Sequence, residues 1–166
     1  MGELTMPSSH TALDRTLSYR LHRLHKLTDL ESQRAYPEST GLSLSDGRCL
    51  GAVGAFGPLS VNELARLSHL TKGQASRAAQ ALVERGLILK RDREEDGRGV
   101  SLSLTALGRK VWGRLMLLVE QRNQAIFSCL AEHERLLLSD LLDRLIAHAA
   151  GDDPDVTTST GAITVE

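Results

Sequence analysis

The sequence predicts a mainly α fold with a small β-hairpin wing: a winged helix-turn-helix set between N- and C-terminal dimerisation helices. Three observations predict it. Two short capped helices joined by a tight turn lie between Leu59 and Gly86, a basic hairpin follows and closes at Leu104, and long leucine-striped helices flank both.

In chain order, Leu13, Leu17, Leu21, Leu24 and Leu27 or Thr28 recur at steps of three and four, which describes an amphipathic helix from about Ala12 to Glu31 that Tyr36-Pro37 ends. A second helix is expected from Ser43 to Phe56 with Leu44, Cys49, Leu50 and Val53 inward, before Gly57-Pro58 breaks the pattern. Ser60 then caps a short helix. Its hydroxyl can accept from the backbone while Glu63 returns the bond, and Leu59 and Leu64 form a hydrophobic staple around the cap. Ser68-His69-Leu70 is a turn short enough for helix-turn-helix geometry. Thr71 opens the next helix with Gln74 placed to complete a second capping box. Ala75, Ala78, Ala79, Leu82 and Val83 make its narrow buried stripe, and Gly86 its left-handed stop.

The strands are Leu87–Arg91 and Val100–Leu104, the second alternating apolar and polar as a half-buried strand does. Their tip, Asp92 to Gly99, is charged and glycine-rich. Thr105 caps a helix carrying Val111, Leu115, Leu118, Val119, Arg122, Ile126 and Leu130, and a final helix carries Leu137, Leu138, Leu141, Leu142, Leu145 and Ile146. These stripes are wider than a compact winged module covers, so a homodimer is expected, against the alternative of a monomeric bundle that packs them internally.

The expected organisation is an N-terminal arm over 1–10, one domain over 11–150 and a flexible acidic tail over 151–166. Within the domain, a lobe over about 43–104 is flanked by dimerisation helices over about 11–35 and 105–150. With only two Phe, two Tyr and one Trp in 166 residues, the core is built from Leu, Ala and Val. No apolar run approaches a membrane span and Met1 to Ser9 lacks a secretory apolar region, so a cytoplasmic protein is expected. The net charge of -1 conceals polarity along the chain. Residues 60–114 hold 11 Lys and Arg against 6 Asp and Glu, a local +5, whereas residues 131–166 hold 2 against 8, a local -6. That distribution suits one surface facing nucleic acid, although a solvated charged face gives similar sums.

The polar face of the helix after Thr71 carries Lys72, Gln74, Ser76, Arg77 and Gln80, side chains suited to phosphates and base edges in a major groove. Arg91, Arg93 and Arg98 sit on or beside a projecting loop that can place arginine in a minor groove. The run Leu64 to Arg66, the helix Thr71 to Leu82, Glu84-Arg85-Gly86-Leu87, the wing Asp96-Gly97-Arg98, and Leu104-Thr105 with Gly108 together resemble the MarR family of bacterial transcriptional regulators, over roughly residues 13 to 150. The resemblance implies double-stranded DNA and a second copy of the chain as partners. It implies a helix in the major groove with Arg77, Gln74 and Ser76 near bases, and Asp96 orienting Arg98 at the wing tip. Gly99 departs from the family's pattern, in which a charged or polar residue is usual there.

The first helix has a polar cluster of Tyr19, Arg20, His22, Arg23, His25 and Lys26, which reads either as a solvated surface or as a seat for an anion or phenol. Many MarR-type proteins bind small aromatic acids beneath the DNA-binding lobe. The resemblance thus implies a repressor released from a pseudopalindromic operator by a hydroxybenzoate, hydroxycinnamate or hydroxynicotinate held by Tyr19, Arg20, His22, His25 and Arg66. Two alternatives stay open: a thiol-based sensor using Cys49 or Cys129, and a winged-helix module that binds protein without DNA specificity. No nucleophile elbow, phosphate-cradling glycine loop or catalytic constellation appears, and the histidines lack zinc-ligand spacing, so no enzyme, metal or cofactor is expected.

Overall fold

The computed structural model describes residues 12–92 and 99–151, and the chain divides into two compact units, Met1–Arg122 and Asn123–Glu166. In the first unit a 3-10 turn (Leu13–Arg15) leads to α1 (Leu17–Thr40), α2 (Leu44–Phe56), α3 (Val61–Leu67) and α4 (Lys72–Glu84). A hairpin of β1 (Ile88–Asp92) and β2 (Val100–Leu104) follows, then α5 (Ala106–Phe127), which runs on into the second unit, where α6 (Glu132–Ala150) lies. This is the mainly helical fold with one antiparallel hairpin that the sequence predicts.

α1 departs from expectation at both ends. Thr16 is its N-cap, the hydroxyl accepting from the Tyr19 N–H at 3.4 Å. Pro37 does not end it: the helix continues to Thr40 and stops at Gly41, whose φ of 70° supplies the left-handed cap. Proline is tolerated in the last turn because its missing N–H costs a single helical bond, while its carbonyl still accepts from Gly41 N–H at 2.9 Å. Tyr36 holds that turn in place, buried against Gly47 so closely that a Cβ on Gly47 would overlap the ring.

The core is aliphatic. Leu42, Leu50, Leu64, Leu82, Ile88, Leu102 and Leu115 are its largest fully buried side chains. α4 buries Ala75, Ala78, Ala79 and Leu82, and side chains this small let its backbone approach α2 and α3 closely. The hairpin pairs Ile88 with Leu104 and Lys90 with Leu102, and Leu59 bridges to Leu102 through two backbone bonds of 3.0 and 2.8 Å, which fixes the wing's root. Thr105 joins the exit of α4 to the start of α5. Its hydroxyl donates to the Gly86 carbonyl at 2.7 Å and accepts from Gly108 N–H at 2.8 Å. Gly108 packs so tightly that a Cβ there would overlap the Leu87 carbonyl oxygen.

The leucine stripes of the long helices remain largely uncovered within a single chain. On α1, Leu17 is 75% exposed and Leu21, Leu24, Leu27 and Leu30 are exposed with it. On α6, Leu137, Leu141, Leu145 and Ile146 are exposed and no residue is buried.

Candidate functional site

Both capping boxes form. Ser60 accepts from Glu63 N–H at 3.2 Å and Glu63 returns the bond to Ser60 N–H at 2.7 Å, which sets the start of α3. Thr71 accepts from Gln74 N–H at 3.2 Å, and the Gln74 carbonyl oxygen accepts from both the Thr71 N–H (3.0 Å) and its hydroxyl (2.9 Å). This doubled bond has a chemical consequence. The Gln74 carbonyl is spent on the cap, so only its amide N–H groups are turned to a ligand, and a two-bond reading of adenine requires opening the box. Gln80 is similarly engaged, its amide donating to Glu84 at 2.9 Å.

Lys72, Ser76 and Arg77 lie exposed on the same side of α4, away from the alanine stripe, and the Arg77 guanidinium folds back toward Gly73. Lys90 and Arg91 are exposed on β1. The structure thus brings the helix residues onto one polar face; Arg93, Asp96 and Arg98 fall outside the described residues. Arg85, at the C-cap of α4, donates to the Gly41 carbonyl at 2.8 Å and anchors the helix to the α1–α2 junction.

Beneath this surface a cavity of about 350 Å³ opens between α1, α2 and the α3–α4 turn, lined by His25, Arg48, Ala52, Phe56, Leu67, Ser68 and His69. Its floor is part of the helix-turn-helix. Ser68 is buried and donates to the Leu64 carbonyl, and His69 adopts a left-handed φ of 54° in the turn. Two of the cavity's lining side chains share one carboxylate: Arg48 donates to Asp29 Oδ1 at 2.6 Å, and His25 Nε2 lies 3.5 Å from Asp29 Oδ2. Nearby, Arg122 donates to the Thr28 carbonyl at 2.9 Å and lies 3.6 Å from Glu31. Burial pushes the Tyr36 phenol above its ordinary value, and Arg48 and Arg122 oppose that shift.

Of the side chains expected to meet an effector, only His25 lines this cavity. Tyr19 and His22 are exposed on α1, Arg20 turns back to the Asp14 carbonyl at 3.4 Å, and Arg66 is exposed on α3. Sequence reasoning missed Arg48, Phe56 and His69. One signal was available: Arg48 is a charged residue within the otherwise apolar run from Gly47 to Val53 of α2. Among the cysteines, Cys49 is buried against Ser68, and burial raises its thiol above the ordinary range, which withholds the reactive thiolate; Cys129 is exposed. Among the described residues no helix is long and apolar enough to cross a membrane.

A model of the MarR family matches residues 40–99. The HTH-type transcriptional regulator BilQ of Clostridium symbiosum is 33% identical over 86 residues, which cover 52% of this chain and 60% of that protein's length. A probable transcriptional regulator from Pseudomonas aeruginosa superposes with a TM-score of 0.68 at 25% identity, over 81% of this chain and all of that one (100%). The Mycobacterium tuberculosis MarR family protein RV2887, solved in complex with salicylic acid, superposes with a TM-score of 0.66 at 25% identity, over 80% of this chain and 97% of its own. Over residues 40–99 the chain is thus similar to the MarR family, and its fold is that of the solved regulators it superposes on.

Proposed function

We propose that the protein is a homodimeric DNA-binding regulator, a repressor released from a pseudopalindromic operator by a small aromatic carboxylate, and not an enzyme. The observation that carries the DNA reading is the division of α4 into a fully buried alanine–leucine stripe and an opposite face presenting Lys72, Ser76 and Arg77. A helix held this firmly on one side can enter a major groove with the other. Thr71, Gln74 and Gln80 contribute at the edges of that face, and the wing arginines Arg91, Arg93 and Arg98, with Asp96, supply the minor-groove arm. Uncovered leucines along α1 and α6 support a two-fold partner, which places two such helices about 34 Å apart on DNA.

The 350 Å³ cavity is the seat proposed for the acid, with Arg48 meeting the carboxylate, His25 held beside it on Asp29 and Phe56 flanking the ring. Of the expected set this seat retains His25, with Arg48 and Phe56 of α2 and the α3–α4 turn in place of Tyr19, Arg20, His22 and Arg66. Its floor explains how occupancy reaches DNA: Ser68 and His69 lie just before Thr71, where α4 begins, so a ligand that prefers one setting of the turn biases the orientation of α4. The salicylic acid complex of the mycobacterial relative supports the ligand class. Fluorescence anisotropy on a labelled inverted repeat, titrated with salt and then with salicylate, tests the reading. Specific binding that weakens steeply with salt and is released by salicylate is expected; indifference to DNA sequence overturns it.

A further inference from the structure

We infer that Asp29 is a built-in counter-ion of the effector cavity: an incoming aromatic carboxylate displaces Asp29 from Arg48, and the released carboxylate is compensated by a proton taken up on His25. This rests on the reading of the cavity as the acid site. The 2.6 Å bond from Arg48 to Asp29 Oδ1 means that the guanidinium is already neutralised in the empty protein, so a ligand anion competes with an anion in place. Asp29 does not then lose all its partners, because His25 Nε2 stands 3.5 Å from its other oxygen.

With Arg48 transferred to the ligand, the Asp29 charge acts on His25 alone, which favours the imidazolium. The proton comes from solvent and sits on the imidazole, so the charges balance: one ligand anion and one proton enter together. Other titratable or charged groups surround the cluster: Arg48 on α2, His69 in the α3–α4 turn, Arg122 on α5, and His22, Glu31 and Tyr36 on α1. None of these stands on the second oxygen of Asp29 as His25 does, which is why the proton is assigned there.

By linkage, acid binding tightens as pH falls, while salicylate stays ionised. The experiment is calorimetry of the full-length protein with salicylate in buffers of different ionisation enthalpy, with the neutral isostere salicylamide as control. Expected are net proton uptake with salicylate, none with salicylamide, loss of the uptake in His25→Gln but not in His69→Gln, and salicylate binding about tenfold tighter in Asp29→Asn. Thermal melting confirms that each variant is folded, and the buffer comparison on the wild-type chain needs no variant. Salicylate binding without proton uptake, or binding that Asp29→Asn weakens, overturns the inference while leaving the acid site standing. Failure of the wild-type protein to bind any aromatic acid overturns the acid-site reading itself.

Discussion

The two faces of α4 make separable demands, and a pair of substitutions tests whether they are as distinct as the geometry states. Leu82 is 0% exposed, and its α4 neighbours on the buried side, Ala75, Ala78 and Ala79, have only methyl groups with which to fill a space left beside them. Leu82→Ala therefore leaves most of its cavity open and costs about 3–4 kcal/mol, within the range for buried leucines whose surroundings cannot collapse. Against a total of about 5–15 kcal/mol for an ordinary fold, the protein remains mostly native at 25 °C and binds DNA at nearly wild-type affinity when correction is made for the folded fraction. Arg77→Ala does the reverse. Its side chain is exposed, so denaturant midpoints move by less than about 0.5 kcal/mol, but each half-site loses about 1–3 kcal/mol of base or phosphate recognition. Across two half-sites this is a loss of roughly 30-fold to 10⁴-fold in operator affinity. Urea unfolding monitored by circular dichroism, beside anisotropy on the same samples, measures both quantities. If Arg77→Ala destabilised the fold as much as Leu82→Ala, or if it bound operator like wild type, the assignment of the two faces would be wrong.

Three further outcomes follow from the packing and the ionisation. Gly108→Ala drives a methyl into the Leu87 carbonyl and lowers stability by about 1–3 kcal/mol, whereas Gly113→Ala in the same helix, with nothing within 4 Å of its added Cβ, raises it by about 0.5–1 kcal/mol; denaturant midpoints of both variants check this. Burial raises the Tyr36 phenol and the Cys49 thiol, so at alkaline pH the folded state holds protons that the unfolded state releases. Stability therefore falls as pH rises above about 9–10, and Tyr36→Phe flattens the upper part of that fall in melting curves taken across the range. Replacing Leu21 and Leu24 of α1 with glutamate places two charges on the uncovered stripe, and sedimentation is expected to show a dimer for the wild-type chain and a monomer for the variant.

The parts of this fold that were legible in the sequence are those whose partners lie three or four residues apart. Ser60 with Glu63 and Thr71 with Gln74 each contain both halves of their hydrogen-bonded box, and the alanine stripe of α4 states its own burial by its period. Pro37 was misleading for a related reason. The sequence shows the residue that lacks an N–H, but not that Tyr36 is buried on Gly47 eleven residues further along and holds the last turn in helical form. The cavity was illegible because its wall is assembled from three separate segments. Arg48 meets Asp29 across 19 residues of sequence, and His69 arrives from a turn whose backbone is left-handed. No period or cap marks such a meeting.

The boundary between the legible and the illegible falls at one place in the molecule, and that place bears on mechanism. Ser68 and His69 belong to the cavity floor, and Thr71 belongs to the cap of α4, with Leu70 between them, its N–H bound to the Ala65 carbonyl at 2.9 Å. A cap is a local device that fixes where a helix begins but not where it points. Direction is set by what the turn rests on, and here the turn borders a cavity lined by His25 and Arg48, both paired with Asp29. In the proposed switch, a change in that pairing would tilt α4 while the three hydrogen bonds between Thr71 and Gln74 persist. A regulator that switched in this way would keep the polar face of α4 whole and change only the angle at which that face is offered.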